Sequence, residues 1–208
     1  MRIGIDIDDV ITRTGQIFYQ KINERFGTNI EFKQVTSYNL VDKEVEKLGF
    51  DMHEFYDFVT DIQMKSLYHE ELIVRRGFIN TIAKFHKQNH IIYLISNRHV
   101  LILPYTTVWL KNIGILPLVT GVLHNTYTKE PYGAFKIREA KRLKLDVFFE
   151  DALDYALPLA EARVPVILFD RPWNQMKKLP KNVFRINDWR DVEGVLGKVT
   201  KLKLLTKT

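Results

Sequence analysis

Short apolar runs alternate with stretches of helical spacing along most of the chain. In one such stretch, YGAFKIREAKRL, the apolar residues Phe135, Ile137, Ala140 and Leu143 fall on one broad helical face. Strands that alternate with helices predict an α/β fold, here a Rossmann-like parallel sheet with helices on both faces. The six runs that predict its strands are RIGID, HIIYLIS, VTGVL, LDVFFED, VPVILFD and NVFRI.

The stretch between the first two runs departs from this rhythm, because it is far longer than a single crossover helix requires. It predicts polar, aromatic-rich helices in GQIFYQKINERF, DKEVEKLGF and DMHEFYDFVTDIQ, followed by a crossover helix near GFINTIAKFHKQ. We therefore expect a core domain of residues 1–14 and 76–197, a small helical cap of residues 15–75 and a basic tail of residues 198–208.

Acidic residues cluster where two of the predicted strands end. In an extended segment Asp6 and Asp8 would share a face, and two carboxylates ~4 Å apart repel by roughly 4 kcal/mol near a surface. A cation between them removes this repulsion, and ligands that offer only oxygen favour Mg²⁺. Helix capping by aspartate is the alternative explanation. The acids after the two strands are Asp6, Asp8 and Asp9, and Glu150, Asp151 and Asp154.

Complementary polar groups follow another predicted strand. HIIYLIS leads into Ser96, Asn97 and Arg98, and a turn of this kind binds phosphate through hydroxyl and backbone N–H groups. Lys136 lies near the start of the helix that precedes the second acidic strand. Taken alone, the serine suits a cap, the lysine suits a solvated helix face, and Arg98 suits either a substrate contact or a surface ion pair. Their order along the chain makes them candidates for one site.

That order resembles the four motifs of the haloacid dehalogenase-like (HAD) superfamily of phosphotransferases. IGIDIDDV is similar to the first motif, IIYLIS to the second, Lys136 to the third and VFFED to the fourth. Lys129, in YTKEPYG, is an alternative for the third motif, and Asp9 stands where many relatives have glycine. The placement of the insertion resembles the 5'(3')-deoxyribonucleotidase branch of the superfamily.

The resemblance implies a hydrolysis mechanism with roles for individual residues. Asp6 is expected to attack phosphorus and form an aspartyl-phosphate, while Asp8 acts as the general acid and base. Mg²⁺ is expected to bind Asp6, the backbone carbonyl of Asp8 and Asp151.

The resemblance also implies the groups around these residues. Ser96, the backbone N–H of Asn97 and Lys136 are expected to bind the phosphoryl group. Glu150 and Asp154 are expected to orient water on the metal.

The composition limits the chemistry open to this protein and indicates its expected compartment and partners. The 208 residues include no cysteine, which excludes disulfides and thiolate chemistry, and no apolar run is long enough to span a membrane. No secretory signal is apparent, so we expect a cytoplasmic protein. The net charge of +6 owes much to four lysines in the last eleven residues, so nucleic acid is not the favoured partner.

The expected substrate is a small phosphorylated metabolite. Nucleoside monophosphates are favoured because aromatic residues of the cap could stack on a base; sugar and cofactor phosphates stay open, as does a homodimer. A response-regulator receiver, a dehalogenase and a binding module without turnover are the rival readings. The cap aromatics, which also suit a hydrophobic core, are Phe18, Tyr19, Tyr38, Phe55, Tyr56 and Phe58.

Overall fold

The computed structural model describes residues 1–37, 39–62, 72–126 and 133–205. Within these ranges six strands form a single parallel sheet in the order β3-β2-β1-β4-β5-β6. Each strand coincides with one of the six apolar runs, and the predicted fold class is confirmed. The strands are β1 (Arg2–Ile5), β2 (Ile91–His99), β3 (Gly121–Asn125), β4 (Val147–Glu150), β5 (Val166–Phe169) and β6 (Val183–Ile186).

Helices cover both faces of the sheet. One buried apolar cluster joins alternate residues of the strands, such as Ile3 and Ile5, to the helices α4 (Phe78–Lys87), α5 (Leu103–Asn112) and α8 (Val192–Leu205). A second cluster joins the opposite face to α6 and α7. The helices are α1 (Thr14–Phe26), α2 (Asn39–Lys47), α3 (Met52–Asp61), α4 (Phe78–Lys87), α5 (Leu103–Asn112), α6 (Ala134–Arg142), α7 (Leu153–Glu161) and α8 (Val192–Leu205).

Gly4 shows how tightly the second cluster packs against the central strand. A Cβ atom at this position would lie 2.5 Å from a side-chain carbon of Leu145 and 2.7 Å from one of Phe148. Contacts this short are essentially never seen in folded proteins, so a larger residue here would force the side chains of Leu145 and Phe148 to move.

The segment between β1 and α4 has a hydrophobic core of its own. Tyr19, Ile22 and Phe26 of α1 pack with Val45 of α2 and Phe55 of α3. We name this segment, residues 15–75, the insertion. Of the aromatic residues considered for stacking on a base, Tyr19 and Phe55 are thus buried in this core, whereas Tyr38 lies outside the described residues.

Two antiparallel segments connect the insertion to the rest of the chain. Thr12 bridges Val74, the backbone N–H of Arg13 donates to the carbonyl of Ile73, and that of Arg75 donates to the carbonyl of Ile11. The insertion therefore leaves and rejoins the core at one place, directly after β1.

Residues 198–208 were predicted to form a basic tail, but most of this segment is helical. Residues 198–205 continue α8, and Val199 is fully buried in the main core. The burial of Val199 explains why the helix extends into this basic segment. Among the described residues, no helix combines the length and the apolar character that a membrane span needs.

The strand order fixes where a ligand site is expected. From β1 the chain builds outward through β2 and β3, and it then returns to the other side of β1 to form β4, β5 and β6. In open parallel sheets, ligands bind beyond the carboxyl ends of the strands where the order reverses. The ends of β1 and β4 lie at this point and carry the two clusters of acids.

Candidate active site

Asp6 lies at the carboxyl end of the central strand, beside β4. Its backbone N–H donates to the carbonyl of Phe149 at 3.0 Å, and its side chain is 8% exposed. Lys136 Nζ lies 3.1 Å from Asp6 Oδ1 and 2.7 Å from Glu150 Oε2. Lys136, on the first turn of α6, is therefore a buried cation between two buried carboxylates. Lys129, the alternative for this role, lies outside the described residues.

Three carboxylates at this point are close enough to share a cation. One oxygen from each of Asp6, Glu150 and Asp151 lies within 4.8 Å of the others, and all three residues are buried. Glu150 is already engaged, because its Oε2 accepts from Lys136 and its Oε1 accepts from the backbone N–H groups of Asp151 and Ala152. Asp6 and Asp151 are thus the carboxylates best placed to bind a metal, and this donor set fits a hard divalent ion.

Burial and crowding oppose ionisation of these two acids. Burial raises the pKa of Asp6 to about 8, with further contributions from Glu150 and Asp8, even though the charge of Lys136 lowers it. The pKa of Asp151 is also raised well above its usual value by burial and by Glu150, Asp9 and Asp6. Three carboxyl groups, those of Asp6, Glu150 and Asp151, meet one lysine here, and a cation would neutralise the excess of negative charge that their ionisation leaves.

Unlike the two acids, Lys136 is stabilised in its ionised form by its surroundings. Burial alone lowers the pKa of Lys136, but the charges of Asp6 and Glu150 outweigh this effect and raise it. The ammonium also lies 4.2 Å from the ring centroid of Tyr155, a cation–π arrangement. Lys136 is therefore held in its charged form beside Asp6.

The sequence predicted Asp8 to lie in an extended segment together with Asp6. In the structure Asp8 lies in a turn that follows β1. β1 ends at Ile5, and the backbone N–H of Ile11 donates to the carbonyl of Ile7. Asp8 is bound by Arg98, which donates two hydrogen bonds, and by the hydroxyl of Thr14 at 2.6 Å. Burial opposes ionisation of Asp8, but Arg98 more than offsets this and lowers its pKa.

Arg98 does not form the surface ion pair that the sequence suggested as one of its two roles. It is 7% exposed and its charge is directed at Asp8. The other role, a contact with substrate, stays a prediction.

Ser96 and Asn97 lie in the second half of β2, the strand that pairs with β1. Leu94 pairs with Ile5, so Ser96 follows at the same edge of the sheet as Asp6. Ser96 is 1% exposed, and its Oγ accepts from the backbone N–H of Arg98 at 3.2 Å. The hydroxyl proton of Ser96 can then be donated to a ligand. Asn97 Oδ1 is a buried acceptor without a hydrogen-bond partner in the described part of the chain.

Asp9, for which the sequence suggested no role, joins both ends of the insertion. Its φ of 53° is left-handed, a conformation that aspartate tolerates better than most residues. Oδ2 accepts from the backbone N–H of Gly15 at 2.9 Å, and Oδ1 accepts from Arg75 at 3.0 Å. Burial raises the pKa of Asp9 to about 6, although Arg75 and Arg171 lower it.

Asp154 stands apart from this group of acids. It lies in the first turn of α7, is exposed, and does not belong to the cluster of three carboxylates. Its expected role in orienting metal-bound water stays a prediction.

Three residues that contact the site were not predicted from the sequence. Arg171 donates to the backbone carbonyl of Asp9, Trp173 donates to Asp151, and Thr14 donates to Asp8. A signal was present for two of them, because RPWN follows VPVILFD directly, just as SNR follows HIIYLI. Polar residues after a third buried strand thus mark the same edge of the sheet.

Comparison with known proteins adds independent information. No protein-family model matches the chain. A Bacillus subtilis protein named "Putative nucleotidase YqfW" is 28% identical, and the match covers 91% of this chain and 90% of that protein. "Nucleotidase CA_C3379" from Clostridium acetobutylicum is 29% identical, with 96% and 95% covered. The similarity therefore includes both the core and the insertion.

The fold is also found among solved structures. A HAD-superfamily hydrolase from Ehrlichia chaffeensis superposes with a TM-score of 0.59 at 11% sequence identity, covering 96% of this chain and 97% of that one. Sequence and fold together confirm the predicted resemblance: the chain is similar over nearly its whole length to proteins named as nucleotidases, and it has the fold of a HAD-superfamily hydrolase.

Proposed function

We propose that this protein is a Mg²⁺-dependent phosphomonoester hydrolase that forms an aspartyl-phosphate on Asp6. One observation carries the proposal: a buried aspartate at the end of the central strand lies beside a buried lysine and a second buried acid, with which it could share a metal ion. A nucleophilic carboxylate needs its charge balanced as it approaches an anionic phosphate, and Lys136 supplies that balance.

Asp6 and Asp8 divide the chemistry between them. An oxygen of Asp6 bonds to phosphorus as the bond from phosphorus to the leaving oxygen breaks, and the proton of Asp8 passes to that oxygen. Asp8 then takes a proton from the water that attacks the aspartyl-phosphate. This water adds to phosphorus, releases inorganic phosphate and restores the Asp6 carboxylate.

The remaining groups bind the phosphoryl oxygens. The Ser96 hydroxyl and the backbone N–H of Asn97 donate to two of them, and Lys136 binds a third.

Asp6, Asp151 and the backbone carbonyl of Asp8 would hold Mg²⁺, which when bound neutralises charge that develops on the phosphoryl group. Glu150 keeps Lys136 in place.

The proposed substrates are nucleoside monophosphates. One support is the similarity to proteins named as nucleotidases. The other is the insertion, residues 15–75, which leaves the core directly after β1 and which we propose to act as a cap over the site. A roofed site favours compact phosphomonoesters over macromolecules.

A screen with purified protein tests this proposal. Nucleoside 5'- and 3'-monophosphates, sugar phosphates, cofactor phosphates and p-nitrophenyl phosphate are compared at equal concentration, with Mg²⁺ and with EDTA. We expect Mg²⁺-dependent phosphate release, with a nucleotide giving the highest kcat/KM. A sugar phosphate far above every nucleotide would refute the substrate assignment alone. Absence of release from every compound would refute the hydrolase and favour a binding module.

A further inference from the structure

Trp173 lies on a short 3-10 helix, Pro172–Asn174, that follows β5 at the same sheet edge as the acids. Its indole Nε1 donates to Asp151 Oδ2 at 3.0 Å. In the described part of the chain, this is the one hydrogen bond made to the Asp151 carboxylate. Because Asp151 is 5% exposed, solvent does little to orient its carboxylate, and the indole N–H fixes the position of one oxygen.

The same 3-10 helix also holds the backbone of Asp151. Asn174 Nδ2 donates to the Asp151 carbonyl at 2.6 Å and to the Phe169 carbonyl at 2.7 Å. Side chain and main chain of Asp151 are therefore both anchored by one segment, from which two adjacent residues project. A neutral donor such as indole orients a carboxylate without adding a positive charge that would compete with a cation.

The indole of Trp173 also contacts the insertion. The ring of Phe32 meets that of Trp173 edge to face, with centroids 5.3 Å apart and planes at 80°. Phe32 lies on the 3-10 helix Phe32–Gln34 of the insertion, where it also approaches Tyr19 of α1 at 6.3 Å. One side chain thus contacts both an acid of the site and the insertion.

We propose that Trp173 is a positioning residue that orients Asp151 for the metal and makes metal affinity depend on its contact with Phe32. The inference rests on the proposed function for the identity of the metal site. Groups that orient a metal ligand typically account for about 10- to 100-fold in metal affinity. The hydrogen bond to Asp151 and the ring contact with Phe32 can be removed separately, so each can be tested by its own variant.

Three variants separate the two contacts. Trp173→Phe removes the N–H donor and keeps an aromatic ring, whereas Phe32→Leu removes the ring contact and keeps the donor. Trp109→Phe, in the core at α5, controls for the loss of an indole elsewhere. The Mg²⁺ dissociation constant of each metal-free protein is measured by isothermal titration calorimetry, after circular dichroism has shown that it is folded.

We expect Trp173→Phe to weaken Mg²⁺ binding ~10-fold or more, Phe32→Leu to weaken it by a smaller factor and Trp109→Phe to leave it unchanged. The kcat of Trp173→Phe at saturating Mg²⁺ should stay close to that of the wild type, because only the metal site is loosened. Equal Mg²⁺ affinity in wild type and folded Trp173→Phe would overturn the inference. Mg²⁺ binding by a wild type that hydrolyses no phosphomonoester would overturn the proposed function instead.

Discussion

Arg98 and Asp8 form a two-point ion pair in which Nε donates to Oδ2 at 2.8 Å and Nη2 donates to Oδ1 at 2.6 Å. The guanidinium is almost fully buried and also contacts the hydroxyl of Thr106. The pair lowers the pKa of Asp8 and so keeps it in the carboxylate form, which is the form that can accept a proton from water. Before Asp8 can act as an acid, its proton must displace part of this interaction.

The first prediction concerns this pair. Arg98→Gln removes the charge that holds the pKa of Asp8 down, so the acid limb of the kcat profile should move to higher pH. We also expect kcat to fall, but by less than the roughly 10²- to 10⁴-fold that general acid–base catalysis contributes, because Asp8 itself remains. Steady-state kinetics from pH 5 to 9 measures both effects. Arg142→Gln, which alters an exposed arginine on α6, is the matched control. An unmoved acid limb in the folded Arg98→Gln protein would show that Arg98 does not tune Asp8.

The second prediction concerns the buried lysine. Lys136→Met leaves Asp6 and Glu150 without their shared cation, and an uncompensated buried charge typically costs about 3–5 kcal/mol. The free energy of unfolding in urea should fall by this order at pH 8, and activity should be lost. Lys141→Met, at an exposed position of the same helix, should change neither quantity. Wild-type stability and turnover in Lys136→Met would exclude the proposed role.

The third prediction concerns pH and metal affinity. Without metal, the pKa of Asp6 is about 8, against an ordinary value of 3.8, so this carboxyl holds a proton at neutral pH. Mg²⁺ binds the carboxylate and must displace that proton, so affinity should rise as pH increases from 6 to 8 and then level off. Below the pKa, the slope should approach ~tenfold per pH unit for one released proton.

Calorimetry in buffers with different ionisation enthalpies measures both the affinity and the protons released on Mg²⁺ binding. A dissociation constant that does not change between pH 6 and 8, with no proton release, would contradict the raised pKa of Asp6.

The sequence contained enough information for the sheet and for much of the site. Buried parallel strands are nearly continuous apolar runs, so all six were visible, and their carboxyl ends meet at one edge. This topology alone brings Asp6, Ser96 and Glu150 to the same edge of the sheet. Local pattern and general topology were sufficient because these residues lie within two positions of a strand.

Other parts of the site depend on contacts that no local pattern encodes. The role of Asp9 requires a left-handed φ and an arginine 66 residues away, and Arg98 could be paired with Asp8 only once the turn after β1 was known. Asp154 shows the converse, a residue that the local pattern assigned to the site although it lies apart from the other acids. It follows the same strand as Asp151, but the first turn of α7 leaves it exposed.

Asp6 is the residue that becomes phosphorylated in the proposed mechanism. Asp8→Asn slows the attack of water, so the covalent intermediate should accumulate with p-nitrophenyl phosphate, whose leaving group needs little protonation. Borohydride reduction converts an aspartyl-phosphate to homoserine, which peptide mass spectrometry locates in the sequence. We predict homoserine at position 6 in Asp8→Asn, and none in Asp6→Asn, which should stay folded and inactive. Trapping at another residue, or substantial turnover by folded Asp6→Asn, would contradict the mechanism.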